Sequence, residues 1–371
     1  MHARAKRLPM LGEIDFRSNG IGFLRLFFAA IVLWSHAYGI GGFGWDPIGH
    51  VDDGLIAGML AVGGFFVLSG FLITRSYETV GNALRFIWHR VLRIFPAFWV
   101  CLFVTAFCFA PLAYVHERGT LAGFLAAPES PLTYIARNVL LVIAQPNIRG
   151  LLANVPAPFM LNGSLWTLAY EFGCYLAVAA LGIIGIIRRA PALVAIASLV
   201  LFCSYLGLTW HFAVRGDTIG LDVFSLFVYF GFGSVAYLLR DRIPMTWWLA
   251  SLCAAVLAGT LFTKAFLFIV IPCVSYLTLF AAMRLPIRSF DRRMDLSYGL
   301  YIYAFPIQQL LVLYHLNALG FAAYVLTALA IALALAAGSW FAIERPSLSM
   351  KNLRLRKLPS FGFRRPAQRH E

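Results

Sequence analysis

Two side chains in the run FLRLFFAAIVLWSHAYG are equipped to act on a substrate, Arg25 and His36. On an α-helix their spacing amounts to three turns plus about 20°, so both occupy one face about 16.5 Å apart along the axis. That face carries a permanent cation at one end. At the other it carries an imidazole able to exchange a proton near neutral pH. The plain alternative is an arginine reaching for headgroups and a histidine bonded to a neighbouring helix, and spacing alone leaves the two level.

A second cluster, His89, Arg90 and Arg93 in FIWHRVLRIFPAFW, shares a helical face through three- and four-residue spacings. Guanidinium pairs grip phosphate in bidentate fashion, but composition alone favours the plainer role of a positive-inside topology anchor. Glu171, in NGSLWTLAYEFGCYL, lies two turns inside an apolar run beside Trp166 and Tyr170, with Asn162 or Ser164 as a cap. A carboxylate at such depth needs a partner or a purpose. His36 is the expected partner; a structural ion pair with a buried arginine is the alternative.

In FFVLSGFLITRSY, Gly63, Gly64 and Gly70 fit close helix packing, while Ser69 can bond the backbone or a ligand. In MDLSYGLYIYAFPIQQL, Pro306 is expected to break the helix next to buried Gln308 and Gln309, as tolerated only in protein or beside a cavity. Asp295 stands ready to pair with loop arginines, and Glu344 in SWFAIERPSL reads as a structural partner for Arg345 or loop bases. No glycine-rich phosphate loop, zinc-ligand pattern or serine-nucleophile elbow is present, so no metal is expected.

The elements that hold these residues follow from composition. Of 371 residues, 61% are hydrophobic and 12% charged, against roughly 45–50% and 25% in globular proteins. So few charges cannot cover a soluble surface. The net charge of +14 would suggest nucleic acid in a soluble protein, but here the bases fall between apolar runs. Nucleic-acid binding is therefore excluded as a first reading.

Runs long enough for a ~30 Å hydrocarbon core lie near 21–40, 55–74, 95–115, 165–187, 191–210, 219–239, 245–263, 265–283, 295–314 and 321–343. The expectation is an all-α polytopic membrane protein of about ten transmembrane helices. Segment 132–145 is too short to span and reads as interfacial. With the N-terminus inside, all of the 30 Lys and Arg except Arg118, Arg137, Arg149, Arg215 and Lys264 fall on the inner side. That asymmetry puts both termini in the cytoplasm.

The chain thus divides into a cytoplasmic segment 1–20, a transmembrane domain 21–346 and a basic tail 347–371. The first span reads as retained rather than cleaved. The six cysteines sit in apolar stretches and read as small core hydrophobes.

Taken in order, the motifs resemble the acyltransferase-3 family of membrane O-acyltransferases. The resemblance rests on Arg25 with His36, GGFFVLSGFLI, HRVLRIFPAFW, LNGSLWTLAYE, LSYGLYIYAFP and SWFAIERP, and covers about residues 20–350. The chain departs from the family's pattern at Gly22 and Gly63, where acidic residues are common, and at Ala304, where some relatives carry His.

The resemblance implies transfer of an acyl group, usually acetyl, from cytoplasmic acetyl-CoA to a hydroxyl of a carbohydrate or glycolipid acceptor outside a bacterial inner membrane. His36 would be the general base, Glu171 would orient it, and Arg25 would hold the donor. Arg90, Arg93 and His89 would bind the CoA phosphates. Ser69, Trp166, Tyr298 and Gln308 are candidate acceptor contacts, and loops 41–54 and 116–163 candidate specificity elements. The rival expectation is a proton-coupled transporter or flippase with His36 and Glu171 as a relay.

Overall fold

The computed structural model describes residues 8–44, 46–47, 56–126, 128–215, 219–285, 287 and 294–352. Most of the expected basic tail and part of loop 41–54 lie outside the described residues. Apart from one isolated bridge, Met10 to Pro244, the described residues form helices and their connections. Eight of these helices are long and apolar enough to cross a membrane. The chain is a multi-pass membrane protein.

The helices are α1 (Ile21–Gly41), α2 (Ile56–Val80), α3 (Ala83–Val104), α4 (Ala110–Arg118), α5 (Pro131–Asn138), α6 (Thr167–Ile183) and α7 (Ile186–Arg189). They continue as α8 (Pro191–Arg215), α9 (Ile219–Leu238), α10 (Trp247–Thr260), α11 (Ala265–Arg284), α12 (Ser297–Leu313), α13 (Phe321–Ser339) and α14 (Arg345–Ser349). Two expected spans are short: α10 has 14 residues and α12 has 17. The third begins a dozen residues before the expected 95, because α3 includes the arginine cluster and runs on into α4. Segment 132–145 holds only the eight-residue α5.

Prolines shape three of these helices, each in an identifiable way. Pro306 does not break α12, contrary to the sequence expectation. A proline at that position frees the carbonyl four residues earlier. Here that carbonyl, Ile302 O, accepts from Asn162 Nδ2 at 2.8 Å and Cys101 Sγ at 3.4 Å. The helix therefore stays intact because neighbours satisfy its orphaned acceptor. The other two sites are π-turns, Thr105–Phe109 and Trp340–Glu344, each followed two residues later by a proline, Pro111 or Pro346. These wider turns absorb the lost N–H donors and carry the helix axis on.

α12 is apolar all round and buried along nearly its whole length, with α1 and α13 packed on it. Ala328, Ala332 and Ala336 of α13 are fully buried, forming the small-residue stripe that lets two membrane helices approach closely. α2 is the other central helix, crossed by α9. There Gly70 faces the Phe230 backbone carbonyl and Gly233 faces that of Val67, so a Cβ at either glycine would collide. Gly63 and Gly64 lie against the Tyr229 and Phe28 rings. The expected packing role of these glycines holds.

Gly70→Ala should thus cost about 1–3 kcal/mol of stability by overpacking. A melting temperature in detergent equal to wild type would show that α2 and α9 can part freely. Of the six free cysteines, Cys101 and Cys174 are buried, whereas Cys108 and Cys203 are exposed. The expectation of core packing is corrected for those two, which lie on outward apolar helix faces.

Candidate functional site

α1, α3 and α12 all start at one face of the bundle, and α13 ends there. Each brings a charged residue to that end. Asp295, just before α12, bonds Arg25 Nη1 of α1 at 2.8 Å and Arg93 Nη2 of α3 at 2.6 Å, both through Oδ2. Its Oδ1 accepts from the Ser297 hydroxyl at 2.6 Å and the Ser297 amide at 3.2 Å. Arg93 also reaches Glu344 at 3.5 Å, and Glu344 accepts from Ser339 Oγ at 3.2 Å. The π-turn at Trp340–Glu344 delivers that carboxylate.

These contacts replace the expected partners. Asp295 pairs with helix arginines rather than loop arginines, and Glu344 pairs with Arg93 rather than Arg345. The first change arises because α12 packs on α1 and α3 and brings their arginines to Asp295, the second because the π-turn that carries Glu344 packs on α3. Arg93 is consequently held by two carboxylates, while Arg90 is not. Among the described residues no carboxylate lies within ion-pair range of Arg90. Its Nε is buried without a hydrogen bond, and its guanidinium lies near the Phe86 and Tyr175 rings.

A cavity of about 340 Å³ opens beside this network. Near the charged end it is lined by Arg25, Arg90, Arg93, Asp295 and Lys351, and further in by Ser69, Glu171, Tyr175, Thr167, Tyr301 and Tyr298. Glu171 accepts from Ser69 Oγ at 3.2 Å and from the Tyr175 hydroxyl. Its expected partnership with His36 is therefore corrected. α6 packs on α2 and α3, whereas α1 packs on α2 and α12, so the central pair of helices separates the two side chains.

Thr167 Oγ1 and the Tyr301 hydroxyl, 2.6 Å apart, line the deeper part of the cavity. One turn further along α12, about 6 Å, Phe305 meets the His36 ring edge-on at 5.4 Å. His36 does not line the cavity, and its Nδ1 is buried with no hydrogen-bond partner. No hydrogen bond from a described residue therefore commits this nitrogen to the donor role.

The remaining sequence candidates divide. Ser69 and Tyr298 line the cavity; Tyr298 also donates to Ile94 O at 2.9 Å. Trp166 packs on Tyr170. Gln308 is fully buried and donates to Leu33 O at 2.9 Å. His89 is within 3.3 Å of the Lys351 carbonyl, tying α3 to the residues after α14.

Sequence reasoning missed Tyr175, Thr167, Tyr301, Trp340 and Lys351. Thr167 and Tyr175 alone carried a local signal, since they lie four residues before and four after Glu171 on the same helical face. Burial, then the neighbouring Arg90 and Arg93 charges, lowers the Lys351 ammonium to about 8.

A model described as an acyltransferase domain matches residues 18–340. Among curated proteins, the chain is similar to Nodulation protein 10 of Rhizobium leguminosarum bv. viciae, 29% identical over 90% of this chain and 94% of that protein. It is also similar to the O-acetyl transferase of Shigella phage Sf6, 25% identical over 91% of this chain and 98% of that protein. No solved structure matches the chain.

Proposed function

Because the chain belongs to the acyltransferase family that matches it from residue 18 to residue 340, we propose that it is a plasma-membrane O-acetyltransferase. In this reading it moves an acetyl group from cytoplasmic acetyl-CoA to a carbohydrate hydroxyl on the opposite side. One observation carries the reading most: a cationic cavity runs from the charged face to within one helical turn of Phe305, whose ring meets the His36 imidazole with its unpartnered Nδ1.

Arg90 and Lys351, free of carboxylate partners among the described residues, receive the CoA phosphates at the cavity mouth. Arg25, positioned by Asp295, steers the donor along α1. His36 accepts the proton of the acceptor hydroxyl, and the hydroxyl oxygen attacks the thioester carbonyl. The oxyanion that develops is stabilised by the hydroxyls of Tyr301 and Thr167. The CoA thiolate then leaves and takes up the proton. Glu171 acts on the donor side, holding Ser69 and Tyr175 in place. Membership of an acyltransferase family favours this reading over transport or lipid flipping.

The test is release of free CoA by protein in nanodiscs given acetyl-CoA, together with mass spectrometry of surface glycans from cells with and without the protein. Failure to bind acetyl-CoA and unchanged glycan acetylation would overturn the proposal. Donor binding also has a pH signature. Lys351 is charged below pH about 8 and neutral above it, so affinity for the anionic donor should fall as pH rises through that value. Lys351→Met should flatten the dependence and weaken binding at pH 7. An identical profile for the variant would remove Lys351 from the donor site.

A further inference from the structure

The face opposite the charged network carries a second cavity, an open cleft of about 650 Å³. His116, Glu117 and Arg118 line it from the end of α4, Asn154 from the connection between α5 and α6, and His315 and Asn317 from beyond α12. Glu117 accepts from the Leu152 amide at 2.8 Å, and Arg118 donates to Arg149 O at 2.8 Å. By contrast, no described residue hydrogen-bonds the side chains of His116, Asn154 or His315. The His116 ring instead lies 4.4 Å from that of Tyr314.

Of the five described non-glycine residues with positive φ, His315 (60°) lines this cleft, and Arg149 (56°) and Leu152 (62°) adjoin its lining residues Gly150 and Ala153 in the chain. Such conformations cost energy and persist where surrounding structure demands them. The cleft also sits over the end of α1. Asn317 Nδ2 donates to Gly41 O at 2.9 Å, and Pro156 lies against Gly42. His36 is five residues below Gly41, about 7.5 Å along the helix.

We propose that this cleft is the docking site for the sugar of the acceptor, an inference that rests on the acyl-transfer reading. The lining mixes donors and acceptors, and its one carboxylate is balanced by a guanidinium. It suits a neutral array of hydroxyls. Exposed Leu112, Val115 and Leu319 flank it, which leaves room for a lipid attached to the sugar.

The test uses the double variant His116→Ala/Asn154→Ala in nanodiscs and equilibrium binding of three probes: chitotetraose, maltotetraose and a polyprenyl-phosphate-linked hexose. At least one should bind wild type and bind the variant about tenfold more weakly, with acetyl-CoA affinity unchanged. A preference for the third probe identifies a lipid-linked acceptor, and equal binding of all three a free sugar chain; either supports the site. Equal affinity of variant and wild type, or no binding of any probe to wild type, overturns it. If wild type binds a sugar probe but not acetyl-CoA, the donor reading fails while the cleft assignment stands.

Discussion

His36→Ala is expected to lower acetyl transfer about 10²–10⁴-fold, the usual cost of removing a general base. Acetyl-CoA should still bind, because the cationic mouth of the cavity, at Arg25, lies about three turns of α1 away and shares no contact with the imidazole. The expectation rests on position and availability together. His36 has a buried nitrogen without a partner, and its ring meets α12 one turn beyond the cavity residue Tyr301. A histidine serving only to join helices would use that nitrogen in a hydrogen bond. Radiolabelled acetyl transfer at matched protein amounts, alongside equilibrium binding of acetyl-CoA, separates the two roles. Wild-type transfer by the variant would return His36 to packing against Phe305, and lost donor binding would place it in the donor site.

Asp295→Ala should be the most damaging single change to stability, at about 3–5 kcal/mol. One oxygen of this carboxylate holds both Arg25 and Arg93, and the side chain is only 12% exposed. Its removal leaves Arg25 without its ion pair and Arg93 with Glu344 alone, in surroundings where uncompensated charge is expensive. The substitution also frees Arg25 from its position on α1, so donor binding should weaken in whatever fraction remains folded. Reversible unfolding in mixed detergent measures the first effect. A loss below about 1 kcal/mol would mean that water or headgroups solvate the two guanidinium groups and that the network is peripheral. Arg93→Met with Asp295→Ala should recover part of the loss, since removing both partners of a buried pair costs less than removing one.

Much of the molecule was legible in the chain itself. Composition excluded a soluble fold, and long apolar runs marked most of the helices, because a membrane helix must satisfy its backbone within its own segment. Arg25 and His36 were readable as one face of one helix for the same reason: their relation depends only on helical periodicity. The arginine cluster at the start of α3 was equally visible.

What the sequence left undecided were the partners. Ser69 meets Glu171 across 102 positions, Arg93 meets Glu344 across 251, and Asn162 covers the Ile302 carbonyl across 140. An apolar helix in lipid has no polar face to announce which side turns inward, so its neighbours are set by small-residue packing and scattered polar contacts. For that reason the sequence suggested both carboxylate sites but misjudged their partners. Glu171 went to Tyr175 and Ser69, Asp295 took both arginines, and Pro306 lay inside an unbroken helix. Only the packing of α1, α3 and α12 at one face decides that Arg93 is neutralised, that Arg90 faces the cavity, and that His36 stands beyond the cavity's end.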